Sequence, residues 1–127
     1  MIPKSTAKLE EGDYCLIQRE DEKFVPFVYV AKQGNSRSYF YGGIANIILE
    51  SEDIDSLPND IDISEYALLH IKCFKENETP IIGNLKNKLK NGTINKIIAN
   101  VTDTSVGSKN SVWGYKTIFK YANNVNA

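Results

Sequence analysis

Three apolar segments follow one another near the N-terminus, and they constrain the fold more than any other part of the chain. They cover residues 13–19, 24–32 and 38–49, are rich in β-branched and aromatic residues, and are joined by two short turns. Such residues favour strands, and connections this short join antiparallel neighbours. The sequence therefore predicts a mainly β or α+β domain, built as a strongly twisted antiparallel sheet or a small β-barrel with at most one or two short helices.

Details of these segments indicate how the strands are placed. The first is apolar on both faces from Tyr14 to Ile17, which is typical of a strand that later elements cover on each side. Pro26 lies early in the second segment, and because proline cannot donate a ladder hydrogen bond, we expect an edge position or a bulge there. Gly42 and Gly43 interrupt the third segment, and we interpret them as a bulge or bend.

Three later segments also have the pattern of strands. Residues 66–74 alternate apolar and polar side chains, so we predict a strand, with a helix that begins near Ser64 as the alternative. Residues 94–101 are predicted to form another strand. The clearest alternation is in residues 112–121, where every second side chain is aromatic or threonine, and we predict the last strand there.

Residues 84–92 leave two structures open. Asn91-Gly92 favours the tight turn of a β-hairpin, because both turn positions need a positive φ. Leu85 and Leu89 would alternatively lie on one stripe of a short helix that ends at Gly92.

Length and composition are those of one ordinary globular domain. The chain of 127 residues is 42% hydrophobic and carries a net charge of −1, so no overall field draws it to nucleic acid or to an anionic membrane. No apolar run approaches the roughly 20 residues of a membrane span. We treat residues 1–127 as a single domain, with residues 1–9 as a loose N-terminal arm and residues 123–127 as a fraying tail.

The cysteines and the first residues indicate a cellular compartment. Cys15 and Cys73 each lie in an apolar run, which favours buried free thiols over a disulfide. The N-terminal residues lack the apolar region of a secretory signal. We therefore expect a cytoplasmic protein.

Sequence motifs for catalysis, metals and cofactors are missing. His70 is the single histidine, and on a strand its side chain and that of Cys73 would point to opposite faces, so they could not share a metal. No serine or cysteine nucleophile has a recognisable partner base, and Gly42-Gly43 lacks the residues of a phosphate-binding loop. We expect no enzyme activity, no metal and no cofactor.

Residues 50–65, called the acidic stretch below, hold seven carboxylates and no basic residue. A solvated loop is one interpretation, and docking onto a basic protein surface is the other, since complementary charge speeds association and selects partners. Tyrosines of the last predicted strand are further candidates, because aromatic residues anchor many interfaces, although they would also suit the core. The candidate partner-binding residues are Glu50, Glu52, Asp53, Asp55, Asp60, Asp62, Glu65, Tyr115 and Tyr121.

A second class of function also fits the sequence. Four lysines lie close together, and aromatic residues are frequent, which are the parts of a small β-barrel that binds single-stranded nucleic acid. The same lysines would alternatively keep an outer face soluble and discourage pairing of edge strands. These lysines are Lys86, Lys88, Lys90 and Lys96.

Short motifs in the first and central parts of the chain are similar to those of a known family. The motifs are Glu11-Gly12-Asp13-Tyr14-Cys15-Leu16-Ile17, the returning strand from Phe24 to Val30, His70-Ile71-Lys72-Cys73-Phe74 and Thr79-Pro80-Ile81-Ile82-Gly83. Together they resemble the immunity protein 26 family of bacterial polymorphic toxin systems of the contact-dependent inhibition type, over roughly two thirds of the chain.

The resemblance implies a non-enzymatic inhibitor that is made beside a toxin. Such a protein would bind a cognate toxin domain and block its active site or substrate path. The acidic stretch favours a toxin with a basic surface, such as a nuclease, because enzymes that bind nucleic acid need positive sites. The predicted function is thus that of an immunity protein, with single-stranded nucleic-acid binding as the alternative.

Overall fold

A computed structural model describes residues 2–52, 57–102 and 112–126 of the chain. The strands in these residues are β1 (Asp13–Gln18), β2 (Phe24–Lys32), β3 (Tyr39–Ala45), β4 (Ile63–His70), β5 (Gly83–Asn84) and β6 (Val112–Trp113). The α-helices are α1 (Lys72–Glu76), α2 (Thr93–Thr102) and α3 (Tyr115–Asn123), and Thr6–Lys8 and Lys86–Lys88 form short 3-10 helices. All six strands belong to one sheet with the spatial order β5-β1-β2-β3-β4-β6.

This architecture confirms the prediction of a mainly β single domain. The five strands from β5 to β4 pair antiparallel with their neighbours, and β6 pairs with β4 in parallel. The sheet is open, because β5 and β6 lie at its two ends, so the twisted sheet and not the barrel is formed by the described strands. The described residues form three α-helices, which is one more than the sequence predicted.

Helices cover both faces of the sheet. On the first face, Phe27 belongs to one apolar cluster with Phe74 of α1 and Ile118 of α3. On the second face, Val28 belongs to another cluster with Ile97 of α2. Strands that are covered on both sides read as continuous apolar runs, which is why the first strand was predicted correctly.

Pro26 does not mark an edge strand, because β2 lies between β1 and β3 at the centre of the sheet. The ladder between β2 and β3 begins at the Phe27–Ile44 pair, and the next bridge is the isolated pair Phe24–Leu49. Pro26 lies in the gap between them. A central strand tolerates proline here because the ladder is already interrupted at this point.

The two glycines of β3 do not interrupt the strand. A Cβ atom on Gly43 would lie 2.5 Å from Ile63 Cγ2 and 2.6 Å from Glu65 O. The glycine is therefore needed for the close approach of β3 and β4. The pairing register shifts beside it, between Ile44 and Ala45, so the irregularity that the sequence indicated falls just after the glycines.

The strand predicted for residues 94–101 is wrong, because these residues lie in α2. Ile94, Ile97, Ile98 and Val101 recur three and four residues apart, which places them on one helical face. All four pack in the cluster on the second face of the sheet. The helical stripe therefore determines the structure of this segment.

The last predicted strand, residues 112–121, is also mostly helical. Only Val112 and Trp113 pair with β4, and α3 begins at Tyr115. Ile118 and Ala122 are fully buried against the first face of the sheet. Their spacing of four residues is that of a helix, and this buried pair outweighs the alternation of aromatic side chains.

The strand prediction for residues 66–74 is correct as far as His70, after which α1 begins at Lys72. The hairpin, one of the two structures that the sequence leaves open for residues 84–92, does not form, and Lys86–Lys88 form a short 3-10 helix. Ile61 binds this segment instead, because its N–H donates to Lys88 O and its carbonyl accepts from Lys90 N–H, both at 2.8 Å.

Both chain ends carry anchoring contacts, in segments that the sequence analysis treats as loose. Thr6 is buried, its N–H donates to Arg37 O at 3.0 Å, and its hydroxyl donates to Ser36 O at 2.7 Å. Near the other end, Val125 is buried, and its carbonyl accepts a hydrogen bond from Arg19 Nη1 at 2.7 Å. Both segments therefore pack against the sheet domain.

Candidate functional site

A groove of about 640 Å³ runs along the second half of β1 and is called the β1 groove below. Its walls come from β1 and the turn after it, from the segment that joins α1 to β5, and from α3. The side chains that matter most for its chemistry are those of Leu16, Gln18, Glu52, Glu78, Ile82 and Phe119.

Within the described residues, only the beginning of β1 is paired on its outer side. β5 pairs with Asp13 and Tyr14, and Tyr14 O also accepts the N–H of Ile82 at 3.0 Å. Pro80 precedes this contact and has no N–H with which to extend the ladder. The remaining edge of β1 therefore faces the groove.

Leu16 and Gln18 carry the free backbone groups of this edge. Successive residues of an antiparallel strand direct their N–H and C=O groups to opposite sides. The backbone groups of Tyr14 point outward to β5, whereas those of Arg19 point inward to β2, since the Arg19 N–H donates to Lys23 O at 2.7 Å. Leu16 and Gln18 follow Tyr14 by two and four residues, so their backbone groups also point outward. No residue in the described part of the chain supplies a hydrogen-bond partner there.

Ile82 and Phe119 give the groove its exposed apolar surface. The described residues include four exposed large apolar side chains, and two of them, Ile82 at 40% and Phe119 at 36%, line this one groove. Single exposed apolar residues are common, but apolar residues gathered in a concave surface are typical of an interaction site.

Arg19 closes one end of the groove without contributing free positive charge. Its Nη1 donates to Val125 O at 2.7 Å beyond the C-terminus of α3, where a cation is favourable. Its Nε lies 3.2 Å from Asp21 Oδ1. Desolvation tends to raise the pKa of Asp21, but hydrogen bonds from Lys23 N–H and from Arg19, with their charges, lower it overall.

Glu52 and Glu78 give the groove its net charge. Both line it and both are exposed, and neither has an ion-pair partner among residues 2–52, 57–102 and 112–126. Because the charge of Arg19 is already paired, the groove presents negative charge to whatever enters it.

Asn77 adds an unusual polar group to the groove wall. Its Oδ1 atom is buried and, within the part of the chain that the structure describes, has no hydrogen-bond partner. Buried acceptors of this kind are rare, and each costs free energy relative to a bonded one.

The structure separates the residues that the acidic stretch groups together in sequence. Glu50 pairs with Lys23, with its Oε1 3.3 Å from Nζ, and Glu52 lines the β1 groove. Glu65 lies elsewhere, on β4, where it lines a different cleft together with Tyr121. The acidic stretch therefore does not form one docking surface from these three glutamates.

The other predicted site residues are dispersed as well. Asp60 is exposed and Asp62 is half-buried, and they flank the buried Ile61. Asp53 and Asp55 lie outside the described residues, and so does the side chain of Tyr115.

Tyr121 contacts the core more than solvent. It is half-buried and stacks on Trp113, with ring centroids 4.7 Å apart and an interplanar angle of 22°. Lys120 Nζ lies 5.7 Å from the centre of its ring. This arrangement favours a role in packing α3 on the sheet.

Two of the four lysines of the alternative function line a smaller cleft before α2. Lys86 and Lys90 line it with Glu11, whose Oε1 is 3.5 Å from Lys86 Nζ. Lys88 Nζ contacts a backbone carbonyl, and Lys96 is exposed on α2. The described residues that line this cleft include no aromatic side chain on which a base could stack.

The cysteines, which could act as nucleophiles, are buried, and the histidine, which could act as a base, is hydrogen-bonded to the backbone. Cys15 and Cys73 are buried and free, and burial raises the pKa of the Cys15 thiol to about 12 and raises that of Cys73 as well. His70 Nδ1 accepts the N–H of Lys72 at 3.1 Å, and its ring lies edge-on to Tyr39. In the described ranges, no group of three or more His, Cys, Asp or Glu side chains could hold a metal ion.

Comparison of the chain with protein-family models, with curated proteins and with solved structures finds no match. No helix in the described residues is both long enough and apolar enough to cross a membrane.

Sequence reasoning identified one residue of the β1 groove, Glu52, and missed the others. Leu16 and Gln18 read as ordinary strand residues, and Phe119 was assigned to a strand face. The one available signal was Ile82, an apolar residue that follows Pro80 at the end of a polar loop.

Proposed function

We propose that this chain is an immunity-type inhibitor: it binds a toxin domain of a bacterial polymorphic toxin system in the cytoplasm and blocks that domain's active site or substrate path. The observation that carries the proposal is the β1 groove, where an open strand edge, the exposed side chains of Ile82 and Phe119 and the exposed carboxylates of Glu52 and Glu78 come together. The toxin as partner class comes from the resemblance of the sequence motifs.

The groove suits a protein partner better than a small molecule. Pockets for small ligands enclose most of the ligand surface, whereas the β1 groove is open along the strand. Its polar groups include the backbone of Leu16 and Gln18 and the carboxylates of Glu52 and Glu78. These groups form hydrogen bonds and ion pairs with a polypeptide, while the apolar side chains supply the area that stabilises a protein interface.

Growth rescue tests this function directly. The toxin candidate encoded beside the gene is expressed in a bacterial host with and without this chain. We expect the toxin alone to stop growth and this chain to restore it, and we expect the purified proteins to form a complex. Failure of every adjacent toxin candidate to be neutralised would contradict the proposal, and salt-dependent retention of single-stranded nucleic acid would favour the alternative function.

Charge reversal links rescue to the groove. The variant Glu52→Lys,Glu78→Lys removes the negative charge of the groove, and Glu65→Lys changes a carboxylate on another part of the surface. We expect rescue by the double variant to be weaker than rescue by the wild type, and rescue by Glu65→Lys to be unchanged. Equal loss for both variants would assign the effect to total charge and not to the groove.

A further inference from the structure

We infer that the occupant of the β1 groove is an extended segment of the partner that adds a strand to the sheet beside β1. The inference rests on the proposed function, since it specifies how the groove would hold the toxin domain. It also names the chemistry of the segment: free backbone amides, alternating apolar side chains and at least one basic side chain.

The backbone of β1 supplies the first argument. Leu16 and Gln18 direct their N–H and C=O groups outward, and the pairing of β5 stops at Tyr14. An added strand would continue the ladder from the point where β5 ends. Main-chain hydrogen bonds of this kind give affinity in strand-addition complexes, and side-chain pockets give selectivity.

The side chains beside the edge supply the second argument. Side chains of an extended segment alternate between the two faces of the sheet it joins. Every second side chain of an added strand would therefore meet the exposed apolar surface of Ile82 and Phe119. A segment in which apolar and polar residues alternate fits this geometry, whereas a helix would leave the backbone groups of Leu16 and Gln18 unpaired.

The charge of the groove selects among possible strands. A second copy of this chain could pair edge to edge through β1, but this would bring the exposed carboxylates of two grooves together, and like charges in contact are unfavourable. A segment with lysine or arginine at its polar positions would instead meet Glu52 and Glu78. The occupant is therefore a basic strand of a different protein.

The test uses a short synthetic peptide in which valine alternates with lysine, added to the isotope-labelled full chain and followed by NMR. We expect the backbone amides of Leu16 and Gln18 to shift and to show intermolecular contacts with the peptide. The same peptide methylated on its alternate backbone nitrogens, on the side that faces β1, keeps its charge but cannot donate to the edge, so we expect binding to fall about tenfold.

A variant of β1 tests the same hydrogen bonds from the other side. Gln18→Pro removes an outward N–H that the sheet does not use, and Gln18→Val keeps it. We expect the proline variant to bind the peptide about tenfold more weakly than the valine variant. If Gln18→Pro does not fold, the methylated peptide alone decides the question.

Three results would overturn the inference. The first is a set of shifts confined to the lysine-lined cleft or to β4, and the second is no shift at saturating peptide. The third is a concentration-dependent shift of Leu16 and Gln18 without peptide, which would assign the edge to a second copy of the chain. Because no toxin is used, failure here leaves the growth-rescue result standing, and failure of rescue leaves the peptide result standing.

Discussion

The outer edges of β1 and β4 differ in how well they are protected against pairing with another strand. The outer edge of β4 carries the exposed polar residues Ser64 and Glu65, and its register shifts where it passes Ala45. Charges and bulges are devices that keep edge strands from pairing with other chains. The outer edge of β1 has neither at Leu16, and it is flanked by exposed apolar side chains. This difference is the basis for our proposal that the β1 edge binds a partner, whereas the β4 edge is protected against pairing.

The largest effect is expected at Gly43, which joins β3 to the protected strand. Gly43→Ala would place a Cβ atom 2.5 Å from Ile63 Cγ2 and 2.6 Å from the carbonyl of Glu65, and a backbone carbonyl cannot move aside without breaking the ladder. We expect a loss of about 3 kcal/mol in the free energy of unfolding, measured with urea. The control is Gly114→Ala, where, apart from the chain neighbours, no atom of the described residues lies within 4 Å of the added Cβ, and its cost should stay within about 1 kcal/mol.

Alkaline pH is expected to destabilise the protein through Cys15, which lies beneath the open edge. Burial raises the pKa of this thiol from its ordinary value of 9.0 to about 12. Its contribution to stability is complete below the unfolded pKa and is lost as pH rises through the folded pKa, because only the unfolded chain ionises in between. We expect a loss approaching about 1.4 kcal/mol per pH unit from this group in that window.

Cys15→Ala is the matched control for the alkaline effect. This variant has no thiol to ionise, so its stability should fall less steeply between the two pKa values than that of the wild type. The free energy of unfolding is measured with urea at neutral and at alkaline pH for both proteins. If it falls equally steeply with pH in the wild type and in Cys15→Ala, the assignment to Cys15 is contradicted.

A smaller, salt-dependent effect is expected from Glu52 on the open edge. Glu52→Lys should weaken binding of the valine–lysine peptide severalfold at low ionic strength, since exposed ion pairs contribute less than about 1 kcal/mol. The difference should shrink as salt is added, because screening acts on exposed charges. Glu65→Lys on the protected edge is the control, and a similar loss there would remove the distinction between the edges.

The smallest effect is expected at Asn77 in the groove wall. Asn77→Leu replaces a buried acceptor, which has no hydrogen-bond partner among the described residues, by an apolar group of similar size. We expect thermal stability to be unchanged or raised by the equivalent of about 0.5 kcal/mol. A clear loss of stability would mean that the amide makes a stabilising contact in the folded protein.

The central strands could be predicted from the sequence because both of their faces are buried, so the apolar runs are continuous and local. The later segments could not be assigned in this way. Ile94 to Val101 satisfies a helical stripe and a strand-like run at once, and the choice depends on the face of the sheet that α2 covers. Tertiary packing decides such cases.

The β1 groove could not be predicted because its parts are distant in sequence. Leu16, Glu52, Ile82 and Phe119 come together only after the sheet and α3 have formed. The acidic stretch was a local signal of the right sign, yet it contributes only Glu52 to the groove among its described residues. Charge counted along the chain therefore did not locate the groove, because the acidic residues separate in the folded protein.

Hydrogen exchange in the free protein tests most directly whether the β1 edge is open. The amides of Cys15 and Ile17 point inward to β2, whereas those of Leu16 and Gln18 point outward to the groove. We predict slow exchange for the first pair and fast exchange for the second within the same strand. Equal protection of all four amides would contradict the account, because it would mean that the edge is already occupied.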